Sequence, residues 1–263
     1  MRLIGFYIFA ATVALLPILF PDNYFVTVVG ISAGLHAILA VGLNLLMGYA
    51  GQISLGHAAF FGMGAYASGI LTTRYAWPVP LAMFTGLAVA GLIAWLLARP
   101  ILRLRGHYLA MATLGFGMII HVIMVQATRW TGGPDGLTGI PHLNLFGWSV
   151  DNDLRWYGVI AVAMLIAIWL SLNLIDSRIG RALRAVHGSE FAAQMLGIDT
   201  GRAKTQVFVV SALFAAFAGS LFAHQQGFIS PDSFSLTVSV ELVTMVVLGG
   251  MASTFGAVCG AIA

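Results

Sequence analysis

The nearest approach to a catalytic motif in this chain is the stretch 201–205, which reads GRAKT. A phosphate-binding loop of the Walker A type needs a glycine directly before its lysine and another glycine five residues earlier. Those two positions hold Ala203 and Ile198. The sequence also has no His-x-x-x-His or Cys-x-x-Cys spacing that would hold a metal. We therefore expect no catalytic residue, no metal and no ATPase site of its own in this chain.

A second kind of chemistry is indicated by polar side chains within apolar sequence. Gln52, Ser54 and His57 lie in the glycine-rich stretch 48–57, and Glu241 lies in another apolar run. Transporters use broken helices at membrane depth to offer polar groups to a substrate, so these four residues are candidates for a substrate pathway. The alternatives are an ordinary turn between two spans at 48–57, and a paired or interfacial glutamate at Glu241.

Two histidines, His36 and His121, also stand alone in apolar runs. Histidine within a membrane span often hydrogen-bonds to a neighbouring helix. We expect that role for both of them in preference to ligand binding.

The composition indicates that most of the chain lies within a lipid bilayer. Of 263 residues, 60% are hydrophobic and 8% are charged, and the mean hydropathy is +0.95. A soluble domain carries roughly 25% charged residues. The chain has no basic run interleaved with aromatic residues, so nucleic acid is not an expected partner.

Stretches without Asp, Glu, Lys or Arg predict the spans. One of them, 24–73, has 50 residues and would be about 75 Å long as a single helix, so it must turn back within a bilayer core of about 30 Å. The glycines at 48–57 mark the break. The prediction is an all-α polytopic transmembrane helix bundle of eight or nine spans, near 3–20, 24–47, 57–72, 79–98, 107–127, 156–175, 205–225 and 236–249, with a ninth after Gly250.

We expect these spans to form one transmembrane domain over residues 1–263. Residues 3–21 are expected to stay as a first span, because no small-residue cleavage site follows them. The sequence stops inside an apolar run, which we interpret as an incomplete C-terminal end.

The distribution of Lys and Arg predicts the orientation. With a cytoplasmic N-terminus, the alternation of spans places nine basic residues inside and three outside. The inner set is Arg2, Arg99, Arg103, Arg105, Arg178, Arg181, Arg184, Arg202 and Lys204, and the outer set is Arg74, Arg129 and Arg155.

Residues 176–204 form the longest polar segment predicted to face the cytoplasm. Within it, Ser189 is placed to cap a short helix with Glu190 in its first turn, and Gly197 suits the C-terminal cap. A helix of about two turns is unstable alone in water, so we expect it to pack against a partner. The alternative is a basic loop that only sets the topology.

This short helix resembles the EAA-like coupling loop of ABC importer permeases, in a relaxed form. The resemblance implies that it docks into a groove on an ATPase subunit, with the two alanines allowing close approach and the larger apolar side chains filling the groove. The residues that would couple to the ATPase are Glu190, Phe191, Ala192, Ala193, Met195, Leu196 and Gly197.

The wider sequence resembles the branched-chain amino acid ABC permeases, and the LivM type in particular, from about residue 24 onward. The matching segments are 48–66, 104–114, 131–140 and 246–251. The resemblance implies a complex with a LivH-like permease, two ATPase subunits that bind ATP and Mg²⁺, and a periplasmic substrate-binding protein. It also implies the bacterial inner membrane as the location.

Three classes of function compete on the sequence alone. An ABC importer permease fits the short polar helix and the absence of a phosphate-binding loop. A carrier driven by an ion gradient would show more ionisable residues within its spans than Glu241, and a membrane enzyme would show a nucleophile or metal cluster. Urea and short-amide permeases share these motifs, so they remain the alternative to branched-chain amino acids.

Overall fold

The computed structural model describes residues 2–19, 24–104, 106–145, 148–150 and 152–263. Most of them are helical, as the sequence predicts. The α-helices are α1 Arg2–Leu19, α2 Tyr24–Asn44, α3 His57–Tyr75, α4 Val79–Ile101, α5 His107–Gln126, α6 Thr128–Thr131, α7 Asp153–Asp176, α8 Arg178–Gly188, α9 Glu190–Met195, α10 Thr200–Gln226, α11 Leu236–Gly249 and α12 Thr254–Ile262.

Short elements complete the fold. A π-helix, Leu45–Tyr49, continues α2, and 3₁₀ turns occupy Gly133–Asp135 and Pro231–Phe234. Two small antiparallel pairs lie at one end of the bundle. They are β1 Leu137–Thr138 with β4 Phe228–Ile229, and β2 Asn144–Leu145 with β3 Trp148–Ser149.

Helix α10 lies at the centre of the bundle, packed against α2, α3 and α4. Small residues allow these close contacts. A Cβ atom added to Gly64 of α3 would overlap the backbone of Ala216, and one added to Gly219 of α10 would overlap the backbone of Phe61. Close approach of backbones through small residues is how helices associate in lipid, so this central pair is held by packing.

Helix α7 packs against α2 through small residues in the same manner. Gly30 and Gly34 of α2 face Tyr157 and Ile160 of α7, with no room for a further Cβ atom. The Tyr157 hydroxyl donates a hydrogen bond to the carbonyl oxygen of Val13 in α1, at 2.8 Å. These contacts fix α1 and α7 to the central helices.

The number of spans is smaller than predicted. Among the described residues, six helical stretches are long and apolar enough to cross a membrane: Thr27–Tyr49, Val79–Ile101, His107–Gln126, Asp153–Asp176, Thr200–Gln226 and Pro231–Gly249. The sequence predicts eight or nine because charge-free runs do not distinguish lipid-facing helices from those enclosed by other helices.

The three remaining predicted spans correspond to α1, α3 and α12. In α1 the apolar stretch within the described residues is Gly5–Pro17. Helix α3 has 19 residues but carries Gly, Ser, Thr and Arg residues, which it can accommodate because other helices surround it. Helix α12 lies at the end of the sequence and folds back on α11, where Gly249 and Gly256 leave no room for side chains between the two helices.

Candidate substrate pathway and coupling surface

The predicted break in the long apolar run is present in the structure. The helix of α2 widens into the π-helix Leu45–Tyr49, and regular structure then stops until α3 begins at His57. Gly51 adopts a φ of 67°, a left-handed conformation that glycine adopts without steric cost. A π-helix inside a longer helix is often found at a functional site, so this segment is the first place to look for one.

Two neighbouring helices hold the irregular segment in place. The backbone N–H of Leu55 donates to the Thr113 hydroxyl of α5 at 3.0 Å. The N–H of Ala58, in the first turn of α3, donates to the Ser239 hydroxyl of α11 at 3.1 Å. The first N–H groups of a helix have no partner within it. The Ser239 hydroxyl of α11 therefore caps the N-terminus of α3, because Gly56 at the N-cap makes no side-chain bond.

A third contact joins the segment to the turn between α11 and α12. The Asn44 side-chain amide donates to the carbonyl oxygen of Ser253 at 3.0 Å, and its carbonyl oxygen accepts from the N–H of Ala252 at 3.0 Å. Asn44 is buried at the point where α2 becomes a π-helix. One side chain therefore fixes the tip of the α11–α12 hairpin to the start of the broken segment.

The predicted pathway residues lie in this segment but differ in their surroundings. Gln52 is half-buried, and its amide donates to the carbonyl oxygen of Ala50 at 3.0 Å. Ser54 and His57 are both buried. Among the described residues, the Nε2 atom of His57 has no hydrogen-bond partner. Their role in a pathway stays a prediction.

A cavity of about 260 Å³ lies beside these residues, between α3, α5 and α11. Its wall combines aliphatic and small polar groups. They include Leu55, Met118, Val122, His121, Thr237 and Ser239. Such a mixture suits a small solute that has both an apolar and a polar part.

The surroundings of His36 and His121 differ from the interhelical hydrogen bonds that the sequence predicts. His36 Nδ1 lies 2.8 Å from the carbonyl oxygen of Ser32 in its own helix. The buried Nδ1 atom of His121 has no partner among the described residues, and its side chain lines the cavity. Within the described part of the chain His36 therefore bonds inside its own helix and to no other helix, and His121 lies among the polar groups of the cavity.

Glu241 lies on α11, two residues beyond the cavity residue Ser239. It is exposed on this single chain. An ionised carboxylate facing lipid is costly. The exposed face around Glu241 therefore suits a water-filled path or a protein neighbour better than it suits lipid.

The short helix of the polar segment has the caps that the sequence predicts. The Ser189 hydroxyl accepts from the N–H of Ala192 at 3.2 Å. At the other end, Ile198 N–H bonds to Ala193 O at 3.0 Å and Gly197 N–H bonds to Gln194 O at 2.9 Å. With Gly197 at a φ of 78°, this is a Schellman motif.

A buried ion pair fixes α9 to the start of α10. Lys204 Nζ lies 2.7 Å from Glu190 Oε1, and the two side chains are 3% and 23% exposed. Gln194 also donates to the Thr200 hydroxyl at 3.0 Å. The Glu190 side chain therefore binds within this chain. Lys204 is the lysine of the stretch that nearly matches a phosphate-binding loop, and it lies in the first turns of α10.

The larger apolar side chains of α9 point away from the rest of the chain. Phe191, Met195 and Leu196 are 68%, 70% and 79% exposed. Ala192 is also exposed, whereas Ala193 is buried. The small size of Ala193 therefore allows close packing within this chain, and it offers no surface to a partner. We call the exposed residues Phe191, Met195 and Leu196 the α9 patch.

Helix α8 links the α9 patch to the broken segment. It turns directly into α9, and its apolar face buries Leu183 and Val186 against the bundle. The His187 ring lies so close to Gly51 that an added Cβ atom would meet its Nδ1 at 3.0 Å. Helix α8 therefore connects α9 to the broken segment by direct contacts.

A sequence model described as the permease component of branched-chain amino acid transport systems matches residues 5–263. The chain belongs to this family. The high-affinity branched-chain amino acid permease LivM of Escherichia coli K12 is 37% identical over 255 residues, which cover 87% of this chain and 59% of the relative. This chain thus spans about three fifths of the length of LivM.

More distant relatives cover a similar part of the chain. The permease LivH of Escherichia coli K12 is 25% identical over 242 residues, covering 86% of this chain and 78% of the relative. The fructose import permease FrcC of Rhizobium meliloti is 27% identical over 238 residues, covering 88% and 62%. No solved structure gives a significant match.

Within this permease-family chain, sequence reasoning missed the residues that connect the site. Thr113, Ser239 and His187 each contact the segment 45–58 from another element, and Asn44 joins the start of that segment to Ala252 and Ser253. They are single polar residues in helices, with no local pattern to distinguish them. The proximity of Asn44 to a glycine-rich break is the one signal that could have suggested its role.

Proposed function

We propose that this chain is a membrane-spanning permease subunit of an ATP-driven importer for branched-chain amino acids. Membership of the permease family supports it, and so does the LivM relative. The single observation that carries the mechanism is the α9 patch, because exposed apolar side chains on a well-capped polar helix suit a groove on another protein.

In the proposed mechanism, ATP and Mg²⁺ bind to two separate ATPase subunits, and one of them holds α9. The buried pair of Lys204 with Glu190 makes α9 move together with α10. Helix α8 carries the same displacement to Gly51. The broken segment then shifts against α5 and α11, and the cavity between these helices opens to one side of the membrane at a time.

The pathway is completed by a second permease subunit of the LivH type. Helices α5 and α11 have the least buried apolar stretches among the six candidate spans. Their free faces flank the cavity, and Glu241 lies on one of them. A partner permease over this surface would enclose the path and would shield Glu241 from lipid.

The proposed location is the inner membrane of a bacterium, with the N-terminus in the cytoplasm. Arg99, Arg103 and Arg202 lie together at the end of the bundle that carries α9. The sequence assigns Arg74 to the outer side of the membrane, and its guanidinium carbon lies 5.7 Å from the centre of the Trp130 ring. The β1–β4 pair belongs to that outer end and is the proposed landing surface for a periplasmic binding protein.

The test of this proposal is co-purification of this chain with ATP-binding cassette ATPase subunits from the same bacterium. The variant F191S/L196S removes most of the apolar surface of the α9 patch and should lose the ATPase. The control F228S/L154S makes the same two changes at exposed positions far from α9 and should retain it. Retention of the ATPase by both variants would contradict a docking role for α9.

The solute is tested with the binding protein present in liposomes. Leucine should stimulate ATP hydrolysis by the intact complex. Stimulation by urea or a short amide, with no response to leucine, would keep the importer and reassign its substrate. Failure of every solute would contradict the proposed transport function.

A further inference from the structure

A second cavity, with a volume of about 680 Å³, lies outside the proposed pathway. It is formed by the C-terminal end of α4, the corner between α7 and α8, and the first turns of α10. This is the end of the bundle that carries α9. Because α4 and α10 are both candidate spans, the cavity lies where a bilayer surface would meet the protein.

The mouth of the cavity is positively charged. Arg99, Arg103 and Arg202 line it together with one acidic residue, Asp199. Arg202 is already paired with Asp199, with Nε and Oδ2 separated by 2.9 Å. Within the described part of the chain, the structure gives Arg99 and Arg103 no carboxylate partner, so two positive charges remain for a ligand.

Other charged groups nearby do not cancel this charge. The neighbouring pair of Lys204 and Glu190 is internally neutral. Helix α8 adds further arginines on its exposed side, and Arg181 donates to the carbonyl oxygen of Asp176 at 3.1 Å. The whole region therefore attracts anions.

The interior of the cavity is apolar. Leu174, Ile179, Val209 and Val210 line it. Leu174 belongs to α7, and Val209 and Val210 belong to α10, and both helices continue into the predicted hydrocarbon region. Trp95 stands at the side of the cavity with the Arg99 guanidinium 6.0 Å from its ring. Tryptophan and arginine are both typical of the level of the lipid headgroups.

We propose that this cavity binds an anionic phospholipid. Its phosphate would lie between Arg99 and Arg103, and part of an acyl chain would lie against the valines of α10. Basic pockets between membrane helices on one side of the bilayer have this chemistry. A free phosphate ion would use the arginines alone and would leave the apolar interior empty, so a lipid accounts for more of the cavity.

The inference requires only that the chain spans a membrane, and it does not depend on the proposed solute. Trp95 offers a direct readout, because bromine atoms on a lipid acyl chain quench the fluorescence of a nearby indole. The full-length chain, with the subunits that co-purify with it, is placed in phosphatidylcholine nanodiscs. Brominated phosphatidylglycerol or brominated phosphatidylcholine is then added in small amounts. The signal of Trp95 is obtained by subtracting the same measurement on W95F.

The expected result is quenching of Trp95 at severalfold lower mole fraction of brominated phosphatidylglycerol than of brominated phosphatidylcholine. The variant R99Q/R103Q should lose this preference. The control R129Q, which removes an exposed arginine that the sequence assigns to the other membrane surface, should keep it. A comparable anionic preference in both variants would overturn the assignment to Arg99 and Arg103.

Three further outcomes would also overturn the proposal. Equal quenching by the two lipids in the unmodified chain would mean a site without charge selectivity. Displacement of brominated phosphatidylglycerol by millimolar inorganic phosphate would indicate a site for a free anion. No quenching of Trp95 by either lipid would mean that a protein subunit covers the cavity.

Discussion

Replacement of Asn44 by leucine should release the tip of the α11–α12 hairpin. Leucine has nearly the same size but can make neither of the two hydrogen bonds that join Asn44 to Ala252 and Ser253. Both backbone groups belong to exposed residues, so water can partly replace the lost bonds. The ordinary net contribution of about 0.5–1.5 kcal/mol per hydrogen bond therefore applies, and the two together amount to about 1–3 kcal/mol.

Hydrogen exchange at the tip measures this change directly. The Ala252 amide donates to Asn44 and exchanges only when the tip opens. Since about 1.4 kcal/mol corresponds to a factor of ten, exchange in residues 250–253 should become about 5- to 140-fold faster. Mass spectrometry of the peptide that covers these residues, in detergent or nanodiscs, gives the rate.

The control removes a different hydrogen bond to α2. Ser211 of α10 donates to the carbonyl oxygen of Gly42 at 2.7 Å, and S211A should leave exchange at 250–253 unchanged. If N44L also leaves that exchange unchanged, Asn44 does not hold the tip and the proposed link between the hairpin and the broken segment is wrong.

Three further substitutions test the same region. In G48A the new methyl group would overlap the Asn44 amide, so the melting temperature in detergent should fall; an unchanged value would contradict this packing. S239A leaves the buried N–H of Ala58 without its partner and should cost about 1–3 kcal/mol, seen as a lower melting temperature, whereas S239T should retain most of the stability. E241Q preserves the shape of Glu241 and removes its charge, so leucine uptake in proteoliposomes should drop if the charge serves the pathway, and unaltered uptake would remove any argument for it.

The local features of the fold were predictable from sequence. Ser189 and Gly197 flank α9 as predicted, because caps depend on residues within a few positions of each other. The break after Asn44 was predictable because glycines and polar residues interrupt an apolar run that is too long for one span. These inferences needed no knowledge of which helices are neighbours.

The connections between helices were not predictable in this way. Asn44 contacts residues 208 and 209 positions away in the chain, and Ser239 caps a helix 181 positions away. The span count was too high for the same reason, because the enclosure of α3 by other helices is a property of the packed bundle. Ala193 likewise turned out to face this chain, since its side of α9 is decided by the position of α10.

The most direct test of the proposed function is leucine uptake into liposomes that contain the complete complex and enclose the nucleotide. With the ATPase face inside and the binding protein outside, uptake should require enclosed ATP and should stop when ADP replaces it. The variant F191S/L196S should abolish uptake, and F228S/L154S should leave the ATPase attached. Uptake that proceeds without ATP under a sodium or proton gradient, or ATP-driven uptake that survives loss of the α9 patch, would contradict the account.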